Sequence, residues 1–381
     1  MEKKTITRSD WASSFNLIGR AKITEYTMKL NERSEKSNWV YNSLNLGVDC
    51  GEKYGIIYCE AMCVYSEEKE TKIYAHGKKS DGTDDFDNRI IVDWEDRMNE
   101  DILDSIGDLS FITVGLEKTS QGKTFYKKFL SWYDAIEYIN EHLEDGMVVN
   151  VKGSLKYSEY NNNTQCRRQI NSIVLSKHEE EKDFKASFQQ TILLDKESIS
   201  LTASGIDKEN NIIFVDGRVL DYVASYNGVD VKGQFPFKYH FEFLTDFSDL
   251  DAVKNAVNVL LKVKKDITQI TFEGYFISSG ATTTVSWDDV PQDIKDLVAV
   301  NIFSKEEALK KCTANTGNVM RMVITKPTVK LVGEEKTPVL QKFERKYTED
   351  DLYLDYVFKT DDSIDDDSSE EEVNSWLNSL T

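Results

Sequence analysis

A two-residue alternation interrupted by glycine is the feature that most limits the folds open to this chain. Over residues 149–156, the sequence VNVKGSLK places an apolar residue or glycine at every second position and a polar residue between them. Such a pattern predicts a strand with one buried and one solvated face, as in antiparallel sheets. Residues 17–24 (LIGRAKIT) alternate in a similar way. Glycine within a strand marks a bulge or sharp bend, which a small closed barrel needs at its corners.

The same order of segments occurs twice along the chain. Residues 15–23 resemble residues 212–220, because Gly-Arg interrupts an apolar strand in both. Three more pairs follow in order: aromatic and basic segments at 122–129 and 233–241, helical patterns from 134 and 251, and strands ending in glycine at 148–153 and 270–274. A helix before the fourth strand of a short barrel is the arrangement of the five-stranded oligonucleotide-binding (OB) fold. We therefore predict a mainly β protein with inserted helices, built from two tandem OB-fold-like barrels.

The predicted domain limits follow changes in composition. The charge run HEEEKD at 178–183 lies between strand-like segments and marks a linker. We expect a first domain at 1–178, a linker at 179–185 and a second domain at 186–346, followed by an acidic tail.

Each domain carries a predicted insertion. In the first domain, an acidic insertion at about 81–108 has apolar residues at four-residue spacing, which predicts a helix lying on the barrel: Trp94, Met98, Ile102 and Ile106. In the second domain, the pattern at about 289–312 predicts helical material before the closing strand.

The charge is unevenly distributed. The chain has 47 basic and 67 acidic residues and a net charge of −20. Twelve of the acids and only one base lie in residues 347–381, and eleven acids and two bases lie in residues 81–108. The remainder is charge-balanced. A net acidic chain would normally argue against nucleic acid, since phosphates need clustered lysine and arginine, but that exclusion does not hold when the acid is confined to two segments.

The tail combines two different signals. Residues 361–372 form an acidic block whose only core-forming residue is Ile364, which predicts an extended, disordered spacer. The last residues place four apolar side chains on one face of a short helix, which predicts a site that docks a partner protein: Val373, Trp376, Leu377 and Leu380. The alternative is a solubilising tail with a frayed end.

Taken together, these segments resemble tandem OB-fold proteins, and in particular bacteriophage single-stranded DNA-binding proteins. The resemblance depends on the VxVxG strand at 149–153 with its hairpin at 158–165, the doubled unit and the acidic tail with an apolar end. It implies sequence-tolerant, non-catalytic binding of single-stranded DNA in phage replication or recombination. It also implies that the tail competes with DNA and recruits replication or recombination proteins, with no cofactor, in the cytoplasm of a bacterial host.

Proteins that bind single strands combine cations for the phosphates with exposed rings on which bases stack. The candidates in the first domain are Arg20, Lys22, Tyr26, Lys29, Trp39, Tyr41, Lys152, Lys156, Tyr157, Tyr160, Arg167 and Arg168. The candidates in the second domain are Arg218, Tyr222, Tyr226, Phe235, Phe237, Lys238, Tyr239, Arg321 and Lys326. Small barrels also fill their interiors with aromatic residues, so Trp39, Tyr157, Phe235 and Phe237 are equally compatible with a core position.

Other kinds of site are poorly supported. The sequence SQGKT at 120–124 resembles the end of a phosphate-binding loop, but Glu117 occupies the position that requires glycine, so we predict a hairpin turn. The five cysteines form no Cys-x-x-Cys pair, and the four histidines lack metal-ligand spacing, so we expect reduced thiols and no metal site. No apolar run is long enough for a membrane span or a signal peptide.

Two alternative functions stay open at this point. The first is a protein–protein interaction module of a phage replication complex or particle, since small barrels host unrelated functions. The second is a metal-dependent nuclease that uses the acids of residues 81–108 with magnesium.

Overall fold

The computed structural model describes residues 11–34, 38–160, 163–202, 205–226, 229–263, 267–282, 315–333 and 335–348, with isolated positions at 292, 295, 298, 304, 305 and 352. The protein is mainly β, as the alternation predicts. Residues 361–381, including the apolar residues Val373, Trp376, Leu377 and Leu380, lie outside the described residues.

The described residues of the N-terminal half form ten strands and two α-helices. The strands are β1 (Ser13–Lys22), β2 (Met28–Arg33), β3 (Trp39–Asp49), β4 (Ile56–Ser66), β5 (Lys72–Lys78), β6 (Asp84–Asp93), β7 (Ile112–Lys118), β8 (Thr124–Phe129), β9 (Val148–Tyr160) and β10 (Asn163–Leu175). The helices are α1 (Glu100–Leu103) and α2 (Trp132–His142).

Five of these strands close into a barrel, which we call the first barrel. Strand β1 pairs antiparallel with both β3 and β9, β3 pairs with β4, and β9 pairs with β10. The ring closes where β10 runs parallel to β4, with Gln169 opposite Glu60. Helix α2 precedes the fourth strand of the ring, as predicted. Its N-cap Ser131 accepts a hydrogen bond from the Tyr133 amide, and it buries Ala135, Ile136 and Ile139 in the barrel core.

The C-terminal half repeats this arrangement. Its strands are β11 (Lys185–Leu194), β12 (Ile206–Asp207), β13 (Ile212–Tyr226), β14 (Val229–Leu244), β15 (Ile267–Thr282), β16 (Asn315–Pro327), β17 (Val329–Val332), β18 (Thr337–Leu340) and β19 (Lys342–Tyr347). Helix α3 (Leu250–Ala256) continues into a π-helical turn, Val257–Leu261. Strands β11, β13, β14, β16 and β15 close a second barrel, in which β14 and β16 are parallel.

The two barrels share one continuous sheet. The first strands of the two rings, β1 and β11, pair antiparallel and place Phe15 opposite Phe188. The strand order across the junction is therefore β10, β9, β1, β11, β15, β16. We call this the six-stranded sheet. The predicted division of the chain at residues 179–185 stays a prediction.

Two of the four predicted repeat matches occupy equivalent positions. Gly153 in β9 and Gly274 in β15 both lie in the fourth strand of a barrel. A Cβ atom at Gly153 would lie 2.0 Å from the Gln169 carbonyl oxygen, and one at Gly274 would lie 2.2 Å from that of Val323. Glycine is therefore required for close backbone approach at both positions. Helices α2 and α3 are likewise equivalent, since each precedes the fourth strand.

The other two matches are wrong. Residues 15–23 lie in and just after β1, the first strand of its ring, whereas residues 212–220 lie in β13, the second strand of its ring. Residues 122–129 belong to the β7–β8 hairpin outside the first barrel, whereas residues 233–241 belong to β14. A Gly-Arg pair within an apolar strand indicates a sharp bend. It does not predict which strand of the barrel carries that bend.

The helix predicted from Trp94 to Ile106 is also wrong. Residues 84–93 form β6, which pairs with β5, and only a 3-10 turn and the four-residue α1 follow. Trp94 packs with Val40 and Tyr133, whereas Ile106 packs in a different cluster with Ala75. These apolar residues therefore do not share one helical stripe. The predicted insertion at 289–312 is described at isolated positions only, of which 292, 295, 298 and 305 are helical.

The four cysteines in the described part of the chain are free thiols. Cys50 and Cys59 are buried in the core, where loss of hydration raises the pKa of the Cys59 thiol to about 12. The predicted packing of the thiols is confirmed for these two residues, and their reduced state stays a prediction. Among the described helices, none is long and apolar enough to cross a membrane.

Candidate nucleic-acid interface

The outer surface of β3 and β4 carries exposed rings and a thioether. Inward residues such as Leu44 and Ile57 fill the barrel, so the alternate residues face outward. We call these outward residues the β3–β4 face: Trp39, Tyr41, Ser43 and Asn45 on β3, and Tyr58, Glu60, Met62 and Val64 on β4. Four of its apolar side chains are exposed, Trp39 by 39%, Tyr58 by 43%, Met62 by 61% and Val64 by 38%. Single exposed rings are common, but a row of them along paired strands offers a platform for flat ligands.

Cations flank this face on both sides. Lys29 on β2 lies opposite Ser43 and is exposed. Arg167 on β10 lies on the other side and forms an exposed ion pair with Glu60 at 3.6 Å. Tyr26, in the turn between β1 and β2, is also exposed. The structure therefore brings together Lys29, Trp39, Tyr41 and Arg167 from the predicted set.

Other predicted cations of the first half have different surroundings. Arg20 is exposed at the end of β1, near the Phe184 ring, and Lys22 forms an ion pair with Asp49 at 3.6 Å. Lys152 is exposed on the six-stranded sheet. Arg20 and Lys152 lie on β1 and β9 outside the β3–β4 face, whereas Lys22 is paired with Gly47 of β3, itself opposite Tyr58, and so lies at the edge of that face.

Two predicted cations connect the barrels. Lys156 forms a 3.5 Å ion pair with Asp221 of β13, whose side chain is buried. Arg168 donates to the carbonyl oxygen of Tyr58 and lies 5.8 Å from the Phe276 ring of β15. Both are therefore held in interdomain contacts. Tyr160 is exposed at the end of β9, next to Glu159, which accepts a hydrogen bond from Tyr226 of β13.

Four predicted stacking residues are instead covered by protein, so the prediction needs correction there. Tyr157 is buried, donates a hydrogen bond to Gln190 and packs edge-on against Tyr239. Burial raises the pKa of Tyr157 well above its usual value. Phe235 and Phe237 lie in the core of the second barrel. A base cannot reach Tyr157, Phe235 or Phe237, and Tyr239 is largely enclosed by its packing.

The corresponding outer surface of the second barrel is dominated by ion pairs. We call it the β13–β14 face: Phe214, Asp216, Arg218, Leu220 and Tyr222 on β13, and Gln234, Pro236, Lys238, His240 and Glu242 on β14. Arg218 is buried against Asp195 at 2.8 Å, and the guanidinium of Arg321 in β16 donates to both carboxylate oxygens of Glu242. The hydrogen bond that Arg321 donates to Glu242 raises the pKa of Arg321. These cations stabilise the sheet and are less available to a ligand than Arg167 is.

Part of the β13–β14 face is also covered. Leu220 is buried in a small cluster with Leu193, Ile267, Tyr347 and Leu352, so the C-terminal segment packs over it. Tyr222 is 57% exposed, and Tyr226 stacks on Phe235 with ring centroids 4.2 Å apart. Lys238 is exposed, and among the described residues no carboxylate pairs with it. Lys326 pairs with Glu273 at 3.2 Å on the six-stranded sheet, away from this face.

Sequence reasoning missed Tyr58, Met62 and Val64 on β4. The signal was present, because residues 56–65 alternate Ile57, Cys59 and Ala61 with larger or polar residues. Cysteine and alanine are weak core markers, which hid the strand. The missed residues are three of the four exposed apolar side chains on the β3–β4 face, and Trp39 is the fourth.

The alternative catalytic sites gain no support from the described residues. The loop at 119–123 is a tight turn between β7 and β8, closed by a hydrogen bond that the Gly122 amide donates to the Thr119 carbonyl oxygen, so the predicted hairpin turn is confirmed. In the described part of the chain, no group of three histidine, cysteine or acidic side chains could hold a metal ion. Asp84, one of the acids proposed for a nuclease, accepts hydrogen bonds from the Leu109 amide and His76, and the Leu109 bond is the main cause of its lowered pKa.

Comparisons with known proteins give one family match. The sequence model of the YorF family matches residues 69–270, which is just over half of the chain. No curated protein sequence matches. Among solved structures, the wild-type single-stranded DNA binding protein from Thermus aquaticus is 11% identical, with a TM-score of 0.28 over 71% of this chain and 87% of that chain. A deletion mutant of that protein is 10% identical, with a TM-score of 0.30 over 71% of this chain and 88% of its own.

Proposed function

This chain belongs to the YorF family, and we propose that it binds single-stranded DNA on the β3–β4 face, without catalysis and without strong sequence preference. The observation that carries the proposal is the row of exposed rings and the Met62 thioether between Lys29 and Arg167. The second and third strands of OB barrels form the surface on which this fold takes up oligonucleotides.

The chemistry of this face suits a flexible strand better than a duplex. Base stacking on an aromatic ring stabilises a complex by about 1–3 kcal/mol and tolerates any base, because every base has a π-face. Trp39, Tyr41 and Tyr58 supply such rings. In a duplex the bases are already stacked on each other, so these rings would find no partner. The flanking cations contribute phosphate contacts that weaken as salt rises.

For the tail we propose a second role. Residues 361–372 carry eight acids and no base, so they are able to compete with DNA for the cations beside the β3–β4 face. The apolar residues that follow would recruit replication or recombination proteins of a phage in its bacterial host. Support for this part comes from the sequence alone.

The proposal is tested by anisotropy titrations of labelled oligo-dT of increasing length and of a duplex of equal length. We expect saturable binding of single strands above a minimum length, weak duplex binding and a negative salt slope. Equal affinity for both forms would contradict a stacking platform. Absence of binding to every oligonucleotide would instead favour a module that binds protein.

The tail is tested with a chain that lacks residues 361–381. We expect tighter binding of oligo-dT, with the largest gain at low salt, where charge competition is least screened. Equal affinities with and without the tail across a salt titration would contradict the competition and leave binding to the face intact.

A further inference from the structure

A second concave surface lies on the six-stranded sheet, where the two barrels meet. The cleft has a volume of about 540 Å³, within the range of small-ligand sites. Residues from both barrels line it, and its floor is almost uncharged: Ser14, Asn16, Asn171, Ser187, Gln189 and Thr325. None of these residues belongs to the β3–β4 face.

Strand register arranges the lining in two rows. One row runs Lys152, Asn16, Ser187, Tyr275 across β9, β1, β11 and β15. The neighbouring row runs Ser154, Ser14, Gln189, Glu273 across the same strands. Three strand spacings separate the ends of each row, a span of roughly 14 Å. The first row thus has a cation at one end and an aromatic ring at the other, which is the layout of a nucleotide.

The aromatic end of the cleft is held in place by both barrels. Tyr54, in the loop between β3 and β4, meets Tyr275 edge-on, with ring centroids 5.6 Å apart. The Ser278 amide donates to the Tyr54 carbonyl oxygen at 2.8 Å, which fixes the loop against β15. The exposed ammonium of Lys53 lies 4.7 Å from the Tyr275 ring and adds a second cation beside the cleft.

The polar groups of the floor have hydrogen-bonding capacity to spare. Asn16 Oδ1 is buried and has no hydrogen-bond partner within the described residues. The Gln189 amide meets the Glu273 carboxylate at 3.4 Å, and the Ser154 hydroxyl meets Asn171 Oδ1 at 3.5 Å, both long contacts. Unmatched amide groups of this kind are better satisfied by a polar ligand than by one another.

We propose that this cleft binds one nucleotide, with its base against Tyr275 and Tyr54 and its phosphate towards Lys152. Glutamine and asparagine read adenine through its amino group, and a carboxylate accepts from the amino group of cytosine. Gln189 and Glu273, whose carboxylate also pairs with Lys326 at 3.2 Å, therefore favour adenine and cytosine over thymine. The site goes beyond the proposed function. The β3–β4 face has no comparable set of hydrogen-bonding groups, and binding of a nucleotide in the cleft does not require that face.

Nuclear magnetic resonance titration of the full chain with dAMP, dCMP and dTMP tests the proposal. We expect dAMP and dCMP to bind at least about fivefold more tightly than dTMP. Glu273→Leu should abolish the preference for dCMP, because leucine offers no acceptor to the cytosine amino group, and Tyr275→Leu should weaken all three by about 5–150-fold through lost stacking. Tyr222→Ala, which removes an exposed ring from the β13–β14 face, is the matched control and should leave all three affinities unchanged.

Two results would overturn the proposal that the cleft binds a nucleotide. One is a lack of binding by all three nucleotides. The other is nucleotide binding that survives Tyr275→Leu in a folded variant but disappears in Trp39→Ala, which would assign the nucleotides to the β3–β4 face. Neither result affects the oligo-dT titration, so failure of the cleft and failure of the proposed function are distinguishable. Circular dichroism of each variant confirms that the sheet is intact.

Discussion

The β3–β4 face and the β13–β14 face occupy the same position in two barrels of the same topology, yet they differ in chemistry. The first presents Trp39, Tyr58 and Met62 to solvent, with cations at its edges. At the second face, Arg218 pairs with Asp195 and Arg321 of the neighbouring β16 pairs with Glu242. This face is also partly covered near Leu220. A shared fold therefore does not give the two faces a shared role. We infer that the first barrel supplies the main DNA contact and that the second barrel is chiefly structural.

The difference between the two faces is tested most strongly by removing aromatic side chains from each face and comparing the loss of DNA affinity. The double variant Trp39→Ala, Tyr58→Ala should lose about 2–6 kcal/mol of binding free energy for oligo-dT, because each stack contributes about 1–3 kcal/mol. Tyr222→Ala is the matched control on the second barrel and should change the affinity by less than about threefold. Anisotropy titration measures both. A larger loss for Tyr222→Ala than for the double variant would reverse the assignment of the two faces.

We expect the ion pairs of the second barrel to contribute to the free energy of unfolding and not to the affinity for DNA. Arg321→Met leaves the largely buried Glu242 carboxylate without its partner and should lower the free energy of unfolding by about 1–3 kcal/mol. Lys326→Met removes a more exposed pair and should cost less than about 1 kcal/mol. Urea denaturation measures these effects.

The same variants also test whether these ion pairs contribute to DNA binding. Binding of oligo-dT should stay within about twofold of the wild-type value for Arg321→Met. A large loss of affinity in a variant of unchanged stability would make Arg321 a phosphate ligand and remove the contrast between the faces.

A smaller effect is expected for the cation beside the rings. Arg167→Ala should weaken oligo-dT binding and reduce the salt slope by about 0.7, the value for one phosphate contact on a single strand. Lys238→Ala on the second barrel is its control and should leave the slope unchanged. Because the Arg167 pair with Glu60 is exposed, stability should change by less than about 1 kcal/mol. Equal slopes for the wild type and Arg167→Ala would exclude this arginine from phosphate contact.

The smallest effect concerns the contact between the barrels at high pH. Burial raises the pKa of Tyr157 above its ordinary value near 10. The unfolded chain therefore loses this proton first as pH rises, and stability present below pH 10 is lost as the pH rises through the folded-state pKa. One such group contributes a slope of at most about 1.4 kcal/mol per pH unit. Tyr157→Phe should flatten the fall in stability between pH 9 and pH 11.

Exposed Tyr160→Phe serves as the control for the alkaline measurement. It should leave the pH dependence of the unfolding free energy as in the wild type. At neutral pH, Tyr157→Phe should cost about 0.5–1.5 kcal/mol through the lost bond to Gln190. Identical pH dependence in Tyr157→Phe and the wild type would show that the phenol titrates alike in both states.

Much of the fold and some of the site followed from local patterns. The alternation over residues 149–156 predicted β9, and carried two residues further it places Tyr157 on the buried side with Leu155. The same parity puts Phe235 and Phe237 inside and Lys238 outside. These burial assignments were available from the sequence, and weighting aromatic content above periodicity left Tyr157 among the stacking candidates although a core position was equally compatible.

Other features depend on contacts between distant residues, which a local pattern does not encode. Glu242 and Arg321 meet only because β14 and β16 run parallel across the closed barrel. Likewise, Asp221 forms an ion pair with Lys156 only because the β9–β10 hairpin of the first barrel contacts β13 of the second barrel. The difference between the two faces arises from these long-range pairs, so the sequence alone suggested equal roles for both.

The measurement that tests the central claim most directly is a methyl spectrum of ¹³C-methyl-methionine protein during titration with oligo-dT. Met62 is 61% exposed on the β3–β4 face, whereas Met98 is 51% exposed outside it and Met322 is buried in the second barrel. We expect base ring currents to shift the Met62 signal progressively, while the signals of Met98 and Met322 stay in place. A stationary Met62 signal at saturating DNA would contradict the claim that the first barrel's face binds the strand.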